Sequence, residues 1–158
     1  MKLVAGTPVK TLVDLSSVDL QRLVEGELSA KKFCGYVCLT IRGENGFEEG
    51  VLLIDGGKIV GCSYEYLAFG KQFFGKNAFQ RFVNALAART GVVDVFELKP
   101  DDVHGILALN RDVLCSASGR DLVKPKEFSP FFEQEVAREK TVVDEKKEFF
   151  KRFKLKGF

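Results

Sequence analysis

The chain has 158 residues, of which 46% are hydrophobic and 29% are charged, and its net charge is +2. This composition is typical of one globular domain, or of one domain with an appendage, and it excludes a disordered chain. No apolar run approaches the ~20 residues that cross a bilayer. Gly6 and Pro8 interrupt the N-terminus before a secretory signal could form, so we expect a cytoplasmic location.

The first predicted elements are a short helix and a strand. Ser16 or Ser17 is a typical N-cap, and apolar residues recur at helical spacing to about Glu25, with Gly26 ending the helix. Apolar residues alternate from Phe33 to Arg42, which predicts a strand. One face is predicted to carry Phe33, Val37, Leu39 and Ile41, and the other Cys34, Tyr36, Cys38 and Thr40.

The segment Asp55-Gly56-Gly57-Lys58 predicts a tight β-hairpin, since two apolar runs flank it and glycine adopts positive φ without steric cost. Residues 51–54 are apolar on both faces, as in a central strand covered on both sides. Residues 59–64 form the returning strand. With the preceding strand, these segments predict an antiparallel meander.

The next predicted elements are a helix over 76–89, stopped by Thr90-Gly91, a strand over 92–98 and a helix from Pro100 to about Asn110. The first helix has an apolar stripe at Phe79, Phe82, Val83 and Leu86. Together these elements predict an α+β fold: an antiparallel β-meander with packed helices and an appended C-terminal segment. We expect an α+β domain over 1–115, a linker over 116–131 and an amphipathic basic-aromatic segment over 132–158.

The segment Gly70–Asn77 differs by one residue from the P-loop pattern that binds phosphates. Asn77 replaces the hydroxyl residue that binds magnesium, and Phe73 and Phe74 fill the loop. We therefore interpret the segment as a glycine-rich entry to the following helix, with these two rings capping the core.

The four cysteines, at positions 34, 38, 62 and 115, do not have the spacing of a zinc site. Cys34 and Cys38 lie on one strand face and would be ~13 Å apart at the rise of a β-strand. We interpret all four as buried, reduced thiols, and we predict no metal site and no cofactor.

His104 is the single histidine of the chain, and Asp101 and Asp102 precede it. This cluster could bind a metal weakly, but acidic residues also favour the first turn of a helix, and that interpretation places the histidine in solvent. Asp55 and Glu65 have no evident partner. No nucleophile pattern accompanies these residues, so we predict no catalytic residues.

The C-terminal segment from Lys146 to Phe158 carries six basic residues, one acidic residue and four phenylalanines. The candidate partner-binding residues are Phe149, Phe150, Lys151, Arg152 and Phe153. In a helix, Phe149, Phe150 and Phe153 would share a face, which suits a groove on a partner, an anionic membrane surface or nucleic acid. The alternative is a helix docked on its own domain or on a second copy.

Three segments of the chain resemble an archaeal family, domain of unknown function 2226. They are residues 34–37, residues 50–62 and residues 75–79, with sequences CGYV, GVLLIDGGKIVGC and GKNAF. More distantly, the chain resembles bacterial signalling-associated modules of the domain-of-unknown-function 4388 type. The resemblance spans about residues 14–110 and implies an adaptor or regulatory role.

These observations favour a non-enzymatic interaction or regulatory module, with a protein partner or a second copy bound by the C-terminal segment or an exposed sheet edge. One alternative is a domain that senses a small ligand or nucleotide near Gly70–Asn77 or His104. A further alternative is nucleic-acid binding through the basic tail.

Overall fold

A computed structural model describes residues 1–153 of the chain. The strands are β1 (Thr7–Asp14), β2 (Gly35–Arg42), β3 (Phe47–Asp55), β4 (Lys58–Tyr66), β5 (Lys71–Phe74), β6 (Gly91–Glu97) and β7 (Leu114–Ala117). The helices are α1 (Leu20–Arg22), continued by a π-helical segment (Leu23–Leu28), α2 (Gly75–Ala85), α3 (Pro100–Leu109) and α4 (Phe131–Arg152). The predicted α+β class is confirmed.

The seven strands form one antiparallel sheet in the order β1-β6-β2-β3-β4-β5, and β7 also pairs with β4. The predicted meander is confirmed as β2-β3-β4 at the centre of this sheet. β1 and β5 were not predicted, because neither strand shows a clean alternation of apolar and polar residues.

The predicted hairpin joins β3 to β4 and has positive φ at both glycines, +57° at Gly56 and +82° at Gly57. The Gly57 amide donates to the Phe33 carbonyl over 2.8 Å. A Cβ atom at Gly57 would lie 2.7 Å from the Ser29 Cα atom. Glycine is therefore required both by the turn and by the close approach of the segment after α1.

Each face of the sheet carries its own apolar core, and β2 contributes to both faces as predicted. Val37, Leu39 and Ile41 belong to the larger core, which α1 and α2 cover. Tyr36 belongs to the smaller core, which α3 and the N-terminal residues cover. Burial on both sides explains why residues 51–54 of β3 are apolar throughout.

Two details of the first helix were predicted wrongly. Asp19, rather than Ser16 or Ser17, is the N-cap of α1, and its side chain accepts from the Arg22 amide over 3.1 Å. Asp14 binds both the amide and the hydroxyl of Ser16, which holds that residue in a separate turn. Gly26 does not end the helix, since it lies inside the π-helical segment.

Helix α2 ends at Ala85, four residues before the predicted end. Its fully buried side is also rotated from the predicted stripe. Phe79 and Val83 are half-buried, and the buried residues include Ala78, Arg81, Phe82 and Ala85. An arginine thus occupies a position in the buried face of this helix.

The edge strand β1 is irregular. Its pairing with β6 shifts register between Pro8 and Lys10 and again between Lys10 and Val13. Leu12 has φ +51° and donates its amide to the Asp94 side chain over 2.7 Å.

Strand β7 and the residues that follow it pack against the domain. Ala117 of β7 pairs with Ile59, and Leu122 is buried in the larger core. The division of the chain into domain, linker and C-terminal segment stays a prediction.

Candidate functional site

Helix α4 is buried at its beginning and exposed over most of its length. Glu133 and Val136 are each 2% exposed. Every residue from Arg138 to Phe149 is exposed, a stretch of about 18 Å at the rise of an α-helix. The helix is thus buried at its beginning, Lys140 Nζ lies 5.7 Å from the ring centroid of Phe69, and the later turns are exposed.

The predicted partner-binding residues lie at the solvent end of α4. Phe149 and Phe153 are 55% and 57% exposed, and their ring centroids are 4.7 Å apart. Val142, 49% exposed, precedes Phe149 by seven residues and so lies on the same side of the helix. Lys151 and Arg152 occupy the last turn, where positive charge complements the helix dipole.

The three phenylalanines of the predicted face lie close together: the ring centroid of Phe149 is 6.1 Å from that of Phe150 and 4.7 Å from that of Phe153. Phe150 is half-buried and follows Phe132, Val136 and Val143 at helical spacing. Residues 154–158 of the predicted segment lie outside the described residues. The assignment of positions 149–153 as a partner site stays a prediction.

The buried end of α4 is attached by hydrogen bonds to two neighbouring segments. The Glu133 carboxylate accepts from the backbone amides of Glu44 and Asn45 over 2.8 and 2.7 Å. Asn84 of α2 donates to the Ser129 carbonyl and accepts from its amide, both over 2.9 Å. These bonds fix where α4 begins.

Beneath this attachment lies a group of buried polar side chains, called here the Glu48 cluster: Glu48, Tyr64, Arg81 and Glu133. The Tyr64 hydroxyl donates to Glu48 Oε2, and the carboxyl groups of Glu48 and Glu133 are within hydrogen-bonding range. A Cβ atom at Gly43 would overlap Glu48 Oε1 and lie 3.0 Å from Glu133 Oε2, so glycine leaves the space for both carboxyls.

Burial raises the pKa of Glu48 to about 7, and the nearby Glu133 carboxylate adds to this shift, whereas the Tyr64 hydroxyl opposes it. Burial also raises the pKa of Tyr64, which therefore stays a hydrogen-bond donor. Glu48 Oε1 is buried and has no donor among the described residues. A proton on this oxygen would supply a hydrogen bond to Glu133.

Arg81 completes the cluster and is 6% exposed. Its guanidinium carbon lies 3.6 Å from the ring centroid of Phe73 and 5.0 Å from that of Phe132. It donates to the Asn77 carbonyl over 3.2 Å and is 3.8 Å from a carboxylate oxygen of Glu135. The cation thus joins α2, β5 and the first turns of α4.

The Glu48 cluster was missed at the sequence level, although two signals were present. Glu48 shares the alternation of Gly50, Leu52 and Ile54 in β3, which places a carboxyl on an inward-facing position. Arg81 follows Ala78 by three residues on the buried face of α2. The pairing of Glu48 with Glu133, 85 positions later, has no local signal.

At the other end of β3, Asp55 contacts His104 and Cys34, which were not predicted to lie beside it. It lies 3.0 Å from His104 Nε2 and accepts from the Cys34 thiol over 3.4 Å. The Gly56 amide donates to the same sulfur over 3.3 Å. The carboxylate lies between the other two groups, and burial raises the pKa of the thiol, which is unfavourable for a nucleophile.

The segment Gly70–Asn77 does not have the backbone form of a P-loop. Residues 71–74 form β5, so their backbone groups pair with β4 instead of surrounding a phosphate. Phe73 packs against the larger core, as predicted, and its ring lies edge-on to Tyr66. Gly75 has φ +62° and opens α2 directly after the strand.

The four cysteines are divided between the two faces of the sheet. Cys34 and Cys38 pack against the smaller core, and Cys62 and Cys115 belong to the larger one. Burial raises the pKa of Cys38 to about 12. All four are free thiols, of which Cys62 is buried and the others half-buried. Residues 1–153 contain no group of acidic, histidine or cysteine side chains arranged to hold a metal ion.

An open groove of about 780 Å³ lies beside the hairpin. Its walls include Lys58 and Val60 of β4, Leu107 of α3, and Leu114 and Ser116 of β7. The lining combines apolar side chains with serine hydroxyls, the Lys58 ammonium group and the Glu25 carboxylate, which accepts from the Ser118 hydroxyl over 2.9 Å.

These features define an antiparallel α+β domain from which a helix projects. Residues 1–110 match a family described as an uncharacterized protein conserved in archaea, DUF2226, and the chain belongs to this family. The matched residues include the sheet up to β6 and helix α3, and α4 lies beyond them.

No curated protein and no solved structure matches the chain. The likeness to bacterial signalling modules stays a prediction. In residues 1–153, none of the helices combines the length and the apolar character needed to cross a bilayer.

Proposed function

We propose that this protein is a non-enzymatic interaction module that binds a protein partner through the projecting part of α4. The observation that carries the proposal is the contrast within this helix. Its first turns are fixed to the domain by buried groups, whereas Val142, Phe149 and Phe153 form an exposed apolar stripe.

Such a stripe suits a helix-in-groove interaction, in which residues at i, i+7 and i+11 of one helix fill an apolar groove. Six acidic and six basic side chains cover the described helix, from Glu133 to Arg152. Because these charges balance, we assign the binding affinity to the apolar contacts. The proposed partner is therefore a protein rather than nucleic acid.

A photo-crosslinking amino acid at position 149, introduced in living cells, tests the proposal. We expect a discrete crosslinked protein product from position 149 and none from position 144, which lies on the opposite side of α4 and serves as the matched control. A product with twice the mass of the chain identifies a second copy as the partner. Equal products at both positions, or none at position 149, contradict the proposal.

The double variant Phe149→Ser/Phe153→Ser gives a second measurement. We expect it to lose the copurifying partner, whereas Asp144→Asn/Glu148→Gln, which alters the opposite side of α4, retains it. A different outcome is that added salt releases the partner while the phenylalanine variant still binds it. In that case the basic residues bind a phosphate backbone.

The groove beside the hairpin supports a second candidate, a small-ligand sensor. A ligand at 100 times its dissociation constant stabilises a protein by about 2.7 kcal/mol, which a thermal-shift screen of nucleotides and divalent metals detects. Ser116→Trp would fill the groove from exposed strand β7. A stabilising compound whose effect disappears in this variant supports the second candidate, and an unaltered response places the ligand elsewhere.

A further inference from the structure

The Glu48 cluster places two carboxyl groups in one buried space at the point where α4 joins the domain. Both residues are 2% exposed. Two ionised carboxylates cannot share such a space without a large electrostatic cost, since burial removes water and the like charges repel. A single proton between them converts the repulsion into a hydrogen bond.

The surroundings decide which carboxyl carries the proton. Glu133 accepts two backbone amides and lies in the first turn of α4, where the helix dipole favours negative charge. Glu48 has one donor, the Tyr64 hydroxyl, and a buried oxygen that lacks one. Glu133 is therefore the carboxylate, and Glu48 carries the proton.

The charged and titratable groups around Glu48 come from three elements. Strand β4 presents Tyr64 and Tyr66, α2 presents Arg81, and α4 presents Glu133 and Glu135. Burial raises the pKa of both tyrosines, so they remain neutral. Arg81 is directed to Phe73, Phe132 and Glu135. Strand β2 places the apolar Ile41 opposite Glu48.

We propose that one proton, held between the carboxyl groups of Glu48 and Glu133, fastens α4 to the domain, and that loss of this proton loosens the first turn of the helix. The pKa of Glu48, about 7, places this change close to neutral pH. The consequence for partner binding rests on the proposed function, whereas the fastening itself does not.

The backbone amides of Glu44 and Asn45 report directly on this attachment because both donate to Glu133. Their hydrogen exchange is measured by NMR on the full chain from pH 5 to 9 and corrected for the intrinsic pH dependence of exchange. We expect the protection of both amides to fall by up to about tenfold per pH unit between pH 5 and 7, where the attached state binds the extra proton, and to level off above pH 7, where Glu48 is ionised in both states.

Two variants separate Glu48 from its neighbours. Glu48→Gln supplies a permanent donor, so both amides should stay protected through pH 9. Glu49→Gln removes the adjacent carboxyl, whose pKa is also raised by burial, and should keep the wild-type transition. Wild-type protection that does not change between pH 5 and 9, or a transition that persists in Glu48→Gln, overturns the proposal.

If Glu48→Gln does not fold, Tyr64→Phe replaces it in the test. This change removes the hydroxyl that stabilises ionised Glu48, so the pH at which protection levels off should rise; a value that stays or falls contradicts the assignment. Crosslinking from position 149 at pH 6 and pH 8 then tests the consequence for binding. A pH-dependent attachment without any crosslinked product would sustain the fastening and refute the interaction module.

Discussion

Two carboxyl groups on strand β3 have opposite surroundings. Glu48, near the start of the strand, is 2% exposed and faces the larger core. Asp55, seven residues later, has a 30% exposed side chain and faces the other side of the sheet, beside His104. The carboxyl group of Glu48 thus takes part in the attachment of α4, whereas that of Asp55 pairs with His104 where solvent screens the charges. Burial decides which of these roles a carboxyl takes.

The largest effect is expected from Arg81, which joins three elements in the Glu48 cluster. Arg81→Ala removes a buried cation from between two aromatic rings and leaves Glu135 unpaired, so we expect a loss of about 2–4 kcal/mol in the free energy of unfolding. Arg81→Lys should lose less, since it keeps the charge without the planar contact. Urea unfolding measures the free energy of unfolding of both variants. A loss below about 0.5 kcal/mol in Arg81→Ala would contradict the view that the buried end of β3 matters more for stability than the exposed end.

The pH dependence of stability should follow Glu48. Its pKa is raised from 4.5 to about 7 in the folded protein, so the folded state binds more protons between these values. The free energy of unfolding therefore falls as pH rises from 4.5 to 7, by about 2–3 kcal/mol from this group. Glu48→Gln should retain only the smaller slope from Glu49, whose raised pKa acts in the same direction. Urea unfolding at several pH values checks this, and equal slopes would refute it.

At the Asp55 end, backbone geometry should matter more than charge. Gly57→Ala forces a side chain to φ +82° and against the Ser29 Cα atom, so we expect a loss of about 1–3 kcal/mol. Gly56→Ala has a positive φ but no atom within 4 Å of the new Cβ, so its loss should be about 1 kcal/mol. Thermal unfolding compares the two, and a reversed order would be evidence against the close approach.

The smallest effect is expected from the Asp55–His104 pair itself. The two side chains are 30% and 59% exposed, and pairs in such surroundings contribute less than about 1 kcal/mol. Asp55→Asn and His104→Ala should each change the free energy of unfolding by less than that amount. A loss comparable to that of Arg81→Ala would show that the two ends of β3 do not differ as described.

The central sheet could be predicted because its signals are local. Alternation assigned the faces of β2, and two glycines with their apolar flanks located the β3–β4 hairpin. Strands β1 and β5 were not predicted. β1 contains Pro8 and pairs irregularly with β6, so its residues do not alternate, and β5 is only four residues long. The cap of α1 has a local cause, because Asp14 binds Ser16 and leaves Asp19 to cap the helix. The end of α2 at Ala85 has no signal in the hydrophobic pattern.

The candidate site was predictable only where its residues are neighbours in the chain. Phe149 and Phe153 are four residues apart, so helical spacing alone places them together. Glu48 and Glu133, or Asp55 and His104, are brought together by the sheet and the helices packed on it. No local pattern specifies such pairs.

The irregular strand β1 has a consequence for how molecules meet in a concentrated solution. Pro8 has no amide hydrogen, and Leu12 directs its amide to Asp94 rather than outward. Because of these features and the two register shifts, β1 does not present a regular row of backbone hydrogen-bonding groups to a strand of another molecule. Natural sheets resist edge-to-edge aggregation in this way. The β1 side of the sheet therefore disfavours strand-to-strand addition between neighbouring molecules.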